Sequence, residues 1–480
     1  MPRNLIQIRE FDKLVSDDSQ DSPSPGCTSM EADAFNQLYD FILRAAERDA
    51  GSEDPIEIMR LGMAERQRSI QARNYVGVLT TRNGFTVEIL PKIAGLDLET
   101  ASNERPSSDG LEQTKEAFIR MLTALRGTSF KHLGRSSLLS RHMPLYELFI
   151  RMFVEEVERL ALRGLRSGYT PRDSNERFLL GRLLVTQDLR ANPIDRSRCF
   201  VRHAVFGLNR PENRVIKAAL ARLLNRSTSS ENRTRIRRLL AMFDSVDDTP
   251  DWRKVASLCV RDRNLDDYSQ ALEWARIFLE GSSFTAFSGP TVSEALLFPM
   301  ERVFEDYVPY LMRRGLQNGA LSGSAIEIRT QGPVRDLFDK KEGDGAGIRL
   351  TPDIVILKRE AGGQPKPAVV LDTKWKRLDG SNPQPSRNDL YQMYAYGKRY
   401  KVSDVVLVYP QSQGLTAGWQ KKFVSDGADG RGLRVRVFVL DLSLHSESSR
   451  LPGTAPKGGP GNQRGTIGGL LEGIRDSLRA

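Results

Sequence analysis

Two aspartates and a lysine interrupt runs that otherwise read as apolar strands. The segment Ile348-Arg349-Leu350-Thr351-Pro352-Asp353-Ile354-Val355-Ile356-Leu357 is followed, after a Gly/Pro turn, by Ala368-Val369-Val370-Leu371-Asp372-Thr373-Lys374-Trp375-Lys376. Side chains alternate faces along a strand, so Asp372 and Lys374 project from one side and Leu371 and Thr373 from the other. Charges buried in such runs are costly unless they are paired or bind a metal. Phosphodiester hydrolysis is one chemistry that uses this set. Two aspartates can hold Mg²⁺, which keeps bound waters and lowers the pKa of one of them. A lysine on the same face can orient or deprotonate that water, or balance charge growing on a phosphate. The other reading is a structural Asp–Lys pair at a strand end, since such tripeptides are common.

The elements that must position these groups are legible around them. A turn over residues 361–367 makes the two runs a hairpin, which brings Asp353 and Asp372 within reach of each other. Upstream, residues 298–308 predict a helix with Glu301 and Glu305 one turn apart. Downstream, residues 388–396 predict a second helix in which Gln392 and Tyr396, four apart, point the same way. Tyr391, Tyr394 and Tyr396 read as core packing rather than base stacking.

The rest of the chain sorts into further blocks. Leu5 to Phe11 alternates like a strand, residues 16–29 form a Ser/Asp/Pro-rich loop, and Phe35, Leu38, Tyr39 and Ile42 recur at helical spacing. Asn83-Gly84 between Tyr75–Leu79 and Phe85–Leu90 predicts a tight hairpin, and the polar stretch 100–110 predicts a linker. The middle reads as helical, with one long helix opening at Pro144 and presenting Leu145, Leu148, Phe149 and Met152 on one face. Glu155, Glu156 and Glu158 with Arg159 and Arg163 form its charged side. Further on, Arg233, Arg235, Arg237 and Arg238 alternate with Ile236, Leu239 and Leu240. That basic patch suits a DNA backbone, or is simply a solvated helix face. The expected fold class is therefore α+β multidomain. It comprises a β-rich domain over 1–110, a helical middle over 111–285, an α/β domain over 286–445, and a flexible Gly/Pro/Ser-rich tail over 446–480. In that tail Ile467, Leu470, Leu471, Ile474 and Leu478 could form a short helix.

Composition narrows the chemistry. The 480 residues hold 71 Lys+Arg against 61 Asp+Glu, and a 39% hydrophobic content is ordinary for a globular protein. Three cysteines and four histidines, all dispersed, argue against a disulfide framework or a zinc site, which leaves carboxylates as metal ligands. No apolar run is long enough to span a membrane, and the N-terminus lacks a secretory pattern, so the expected location is cytoplasmic. No P-loop motif occurs, so nucleotide hydrolysis is not expected of this chain.

Pro352-Asp353, eighteen intervening residues, and Asp372-Thr373-Lys374 match the PD-(D/E)xK nuclease pattern. With the flanking helices, the set resembles the McrC family, the nuclease subunit of McrBC-type, 5-methylcytosine-directed restriction systems. Tyr75-Val76-Gly77-Val78-Leu79 with Val87 to Ile93 resembles the N-terminal hallmark of that family, and Leu145 to Ile150 with Asn213 to Lys217 its middle section. The resemblance spans about Asn74 to Val408. It implies a restriction-endonuclease-like C-terminal domain with Asp353 and Asp372 as ligands of Mg²⁺ or Mn²⁺ and Lys374 as the catalytic lysine. Glu305, or less directly Glu301, would support the metal or a water, and Gln392 would brace the site. It also implies a hexameric AAA+ GTPase partner like McrB, on which the N-terminal domain docks, and double-stranded DNA carrying modified bases as substrate, with defence against foreign DNA as the role. Two rivals remain at this point: a self-sufficient repair or recombination nuclease, and a non-catalytic adaptor that activates a GTPase.

Overall fold

The computed structural model describes residues 4–18, 27–49, 58–64, 67–93, 108–122, 124, 143–259, 266–280, 292–317, 326–338, 348–359, 364–378, 383–412, 414–425, 432–442 and 465–479. The chain is a mixed α+β protein of two compact units, one formed by residues 1–126 with 289–480 and the other by 127–288. Much of the expected 100–110 linker, the middle of the 16–29 loop, the start of the 361–367 turn and most of the 446–465 stretch lie outside the described residues. No described helix is long and apolar enough to cross a membrane.

The first unit opens with strands β1 (Leu5–Arg9), β2 (Lys13–Ser16) and β3 (Cys27–Met30), then helix α1 (Ala32–Asp49). Strands β4 (Met59–Ala64), β5 (Gln67–Ala72), β6 (Tyr75–Thr81) and β7 (Thr86–Leu90) follow, then α2 (Ser108–Leu122). One four-stranded sheet has the order β3-β2-β5-β4. The Asn83-Gly84 turn closes the β6–β7 hairpin as its sequence demands, and β1 lies parallel to β7. Glu88 of β7 is fully buried yet satisfied, because Lys115 of α2 lies 3.2 Å from it and Gln7 donates to it at 2.8 Å.

The middle unit contains α3 (Leu145–Leu162), β8 (Gly168–Glu176), β9 (Arg182–Leu183), α4 (Val185–Ala191), β10 (Cys199–Gly207), α5 (Pro211–Arg226), α6 (Ser230–Met242), α7 (Trp252–Ser257) and α8 (Asp266–Glu280). Helices α3, α5, α6 and α8 pack around Phe149, Phe153, Trp274 and Phe278. Glu147, in the motif that opens α3, is 3% exposed and binds the start of α6. It accepts hydrogen bonds from Ser227 Oγ, the Ser229 backbone N–H and Asn232 Nδ2. A carboxylate at a helix N-terminus meets unpaired N–H groups and the positive end of the helix dipole, which offsets its burial.

The expectation of a helical middle needs correcting, because β8, β10 and β9 form a three-stranded antiparallel sheet there. The sequence hid it: β8 reads Gly-Tyr-Thr-Pro-Arg-Asp-Ser-Asn-Glu, with no apolar alternation. Polar pairing holds it instead. Arg202 grips Asp173 through two hydrogen bonds of 2.6 and 2.7 Å, and Asn175 and Asn192 exchange a reciprocal amide pair.

The chain then returns to the first unit with β11 (Val292–Pro299), α9 (Met300–Gln317), β12 (Ile326–Thr330), β13 (Arg335–Asp336), β14 (Arg349–Leu350), β15 (Ile354–Lys358) and β16 (Lys366–Thr373). After these come α10 (Arg387–Tyr400), β17 (Asp404–Pro410), β18 (Gly418–Ser425), β19 (Leu433–Leu440) and α11 (Ile467–Arg479). A domain boundary near residue 286 would assign β11 to the C-terminal block. Instead β11 pairs antiparallel with β6 and completes a second N-terminal sheet of order β1-β7-β6-β11. Gly77 permits this pairing, since a Cβ there would lie 1.9 Å from the Leu296 carbonyl oxygen. Helix α9 therefore starts directly from that sheet, with the Met300 N–H donating to the Asn74 carbonyl.

The C-terminal sheet is six-stranded and mixed, in the order β12-β15-β16-β17-β19-β18. Its central β16, β17 and β19 run parallel, with α10 as the crossover between β16 and β17. Met393, Tyr396 and Tyr400 of α10 are buried against the sheet core. The expected tail helix is α11, and its apolar positions Ile467, Leu470, Leu471, Ile474 and Leu478 are all buried. The glycines that weaken its helix propensity include one with a packing role: a Cβ on Gly473 would lie 2.2 Å from Trp419 Nε1.

Candidate active site

The site is built at one end of the β15–β16 hairpin. Ile354 pairs with Leu371, so the next step of the register sets Asp353 against Asp372. Asp353 Oδ2 accepts from the Thr373 backbone N–H and from Thr373 Oγ1, both at 2.7 Å. Asp372 is 1% exposed, and its Oδ2 lies 2.6 Å from Lys374 Nζ. Apart from Lys374, no described residue hydrogen-bonds that oxygen.

Burial and mutual repulsion set the charge state. Burial, reinforced by the charge of Asp372, pushes the Asp353 carboxyl up to about 6. Burial also raises Asp372, against the opposing pull of Lys374, and the nearby charges of Asp389 and Glu305 add to the rise. Lys374 is held above its usual value, because its attraction to Asp372 and Asp353 outweighs its own desolvation. Asp353, Asp372 and the nearby Glu305 thus carry more potential negative charge than Lys374 neutralises.

Glu305 and Glu301 separate clearly. Glu305 Oε1 accepts from Gln331 Nε2 at 3.1 Å, and Glu305 acts electrostatically on Asp372. Glu301 turns to Asn74, whose Nδ2 lies 3.4 Å from its Oε1. Gln392 Nε2 donates to the Tyr396 hydroxyl at 2.9 Å, and that hydroxyl donates to the Thr351 carbonyl at 3.2 Å, two residues before Asp353. Burial pushes the Tyr396 phenol upward, and the charges of Asp372 and Asp353 push it further. Tyr396 is 2% exposed as expected of a core residue, but Tyr391 and Tyr394 are 70% and 45% exposed and do not pack in the core. They occupy the outer face of α10, which burial of Met393 and Tyr400 fixes on the opposite side.

Three neighbours escape a reading by sequence. Thr373 looks like a spacer in Asp372-Thr373-Lys374, yet it satisfies Asp353. Gln331, in a left-handed backbone conformation with φ +52°, donates its N–H to the Asp353 carbonyl while its side chain holds Glu305. Asp389 accepts from Lys376 Nζ at 3.2 Å and from the Tyr409 hydroxyl at 3.0 Å. Burial pushes its carboxyl up, but bonds from Ser386, Lys376 and Tyr409 outweigh it and leave the group lowered. Only Asp389, three residues after the helix-capping Ser386, carried a local signal, and that signal was for capping.

Among the described residues no three His, Cys, Asp or Glu side chains converge to cage a metal. The carboxylates come as a pair, all-oxygen and charge-rich, which fits a hard cation such as Mg²⁺ that is held by one or two carboxylates and keeps its waters.

The four arginines of the basic patch lie on α6 in the middle unit. Arg233, Arg237 and Arg238 are exposed. Arg235 is committed elsewhere: its Nε donates to Glu158 at 2.9 Å, and Glu155 lies 3.5 Å from the same guanidinium. That pairing removes Arg235 from the surface available to a phosphate.

The family of McrBC 5-methylcytosine restriction system components matches residues 70–410, which is most of the chain and includes every element of the carboxylate site. The chain belongs to this family. Among solved structures, a chain of the half-complex refined from the tetradecameric assembly of Thermococcus gammatolerans McrB AAA+ hexamers with bound McrC has a TM-score of 0.63. It is 19% identical, and the match covers 99% of each chain. A chain of the Thermococcus gammatolerans McrBC complex determined by cryo-EM has a TM-score of 0.45 and 20% identity, over 65% of this chain and 88% of that one. The first match extends the shared fold from the family's matched residues to almost the full length of this chain. Comparison with curated proteins finds no match.

Proposed function

We propose that this protein is the nuclease subunit of a modification-dependent restriction system, cutting DNA with Mg²⁺ or Mn²⁺ at Asp353, Asp372 and Lys374. The observation that carries the reading is the buried Asp353–Asp372 pair with Lys374 at 2.6 Å, a charge arrangement that is unfavourable without a ligand. Asp353 and Asp372 would hold the cation, which when bound supplies an acidified water and charge neutralisation at the phosphate. Thr373 fixes the Asp353 carboxylate through two hydrogen bonds, so that one of its oxygens is oriented before substrate arrives. Lys374 would stabilise, through its ammonium, negative charge growing on a phosphate. Glu305, held by Gln331, adds negative potential at Asp372, and Gln392 braces the loop before Asp353 through Tyr396.

The partner in this reading is an AAA+ GTPase like the McrB named in the matched assembly. The middle unit offers a surface suited to docking. On and around its small sheet, Tyr169, Phe178, Leu179, Leu189, Ile194 and Phe206 are each at least 63% exposed. Apolar surface displayed on this scale marks interaction sites. It favours the middle unit over the N-terminal sheets as the docking element.

The test is cleavage of methylated duplex DNA by the purified chain with its partner, GTP and Mg²⁺. Wild type is expected to cut, and Asp372→Ala is expected to bind the partner without cutting. Full cleavage by that variant would remove the site assignment.

A further inference from the structure

Glu10 lies just after β1, more than three hundred residues from the carboxylate site in sequence, and is 1% exposed. Both of its carboxylate oxygens face the indole of Trp375, whose Nε1 donates at 3.0 and 3.3 Å. The Lys92 backbone N–H donates to Oε2 at 3.1 Å. Trp375 follows Lys374 directly in the chain, and the Lys374 N–H is itself tied to the Val408 carbonyl at 2.9 Å. The other side of the indole packs on Phe304, with ring centroids 5.4 Å apart, and Phe304 precedes Glu305. One buried carboxylate on the N-terminal sheet thus bears on the residues beside both Lys374 and Glu305.

A structural strut needs no carboxylate here. An apolar side chain would fill the space without the desolvation that pushes the Glu10 carboxyl up to about 7, against the hydrogen bonds of Lys92 and Trp375 and the charges of Arg377 and Lys92, but it would leave the Trp375 and Lys92 N–H groups without this acceptor. What the carboxylate adds is direction: it fixes the indole N–H, and with it the backbone that leaves β16 at Lys374. We infer that Glu10 is a positioning residue for Lys374, acting through the Trp375 indole. The inference rests on the nuclease reading for its consequence in cleavage, but not for the anchoring itself.

Two readouts separate these. In the full chain with its partner, Glu10→Met removes the acceptor and Trp375→Phe removes the donor while keeping a ring against Phe304. Each is expected to slow cleavage about tenfold, the scale of one hydrogen bond to a charged group, with DNA binding unchanged. The double variant should be no slower than the slower single, because both changes break one link. Glu10→Gln keeps an acceptor and should retain cleavage within about threefold of wild type. Hydrogen exchange in the chain alone supplies the second readout: Glu10→Met should speed exchange at the Lys374 and Trp375 amides and leave residues 405–408 protected. Unchanged exchange there, or penalties that multiply in the double variant, would overturn the inference. If wild type fails to cut while exchange responds as expected, the anchoring stands and the nuclease reading falls.

Discussion

The carboxylate site and the small sheet of the middle unit break the usual rule of polarity in opposite directions. At the first, Asp372 is 1% exposed in an apolar sheet; at the second, Phe178 is 75% and Ile194 92% exposed among polar strands. Both arrangements are unfavourable for an isolated chain, one through desolvated charge and the other through apolar surface left in water. On the proposed function each would become favourable on binding, of a cation in one case and of a protein surface in the other, so that misplaced polarity of either sign would mark a place where the chain takes a ligand or partner.

The sharpest way to break the comparison is at the buried end. Asp372→Asn should lower cleavage by on the order of 10³-fold while leaving the protein at least as thermally stable as wild type without divalent ions. The stability follows from partial relief of Asp353, whose carboxyl burial and the charge of Asp372 together push up to about 6, while Asp353 still attracts Lys374. Mg²⁺ at a hundred times its dissociation constant should stabilise wild type by about 2.7 kcal/mol and the variant by much less. Equal Mg²⁺ stabilisation of both, measured by thermal unfolding, would show that the ion does not bind at this pair.

The exposed end gives the next largest effect. Phe178→Asp with Leu179→Asp should weaken binding of the GTPase partner by tenfold or more, about the loss of a single anchor residue at an interface. Because both side chains face solvent, the unfolding midpoint should stay unchanged. Binding of the double variant at wild-type affinity would move the docking surface elsewhere.

These two regions also differ in how far the sequence displayed them. Asp353, Asp372 and Lys374 could be read because Ile354–Lys358 and Lys366–Thr373 are near-continuous apolar runs, buried along most of their length, and a charge stands out against them. The helices flanking them, with Glu305 and Gln392, were legible from their period of 3.6. The sheet of β8 to β10 was not, because its register depends on pairs such as Asp173 with Arg202, which are distant in sequence. The pairing of β11 with β6 escaped for a related reason: Gly77 reports a close approach but not which strand approaches. Gln331 and Glu10 were invisible as site neighbours, since nothing local to either points to Asp353 or Trp375.

Glu10 extends the rule to a third place, where a buried carboxylate is bonded but still strained by its burial. Its carboxyl is raised from 4.5 to about 7 in the folded chain, so the folded state binds an extra proton between those values. The stability this provides is present below pH 4.5 and is lost as pH rises through 7, a change of roughly 3 kcal/mol. Glu10→Gln cannot titrate, so wild type should lose stability relative to that variant between pH 5 and pH 8. The groups facing Glu10 are Trp375, Lys92 and Arg377, which wild type and variant share, so the difference belongs to Glu10. Parallel pH profiles of the two unfolding midpoints would show that Glu10 does not hold an extra proton.

The smallest effect separates two glutamates that the sequence left equivalent. Glu305 and Glu301 lie one turn apart on α9, but Glu305 acts on Asp372, whereas Glu301 meets Asn74 just before β6. Glu305→Gln should therefore slow cleavage about tenfold and shift the Mg²⁺ requirement to higher concentration, because it removes negative potential from the cation's surroundings. Glu301→Gln keeps a hydrogen-bonding partner for Asn74 and removes a charge that is turned to Asn74, so its cleavage rate should stay within about twofold of wild type. If the two variants lose activity equally, the electrostatic reach of the site extends a full helical turn further than the side-chain directions imply, and α9 contributes to it as a whole rather than through Glu305.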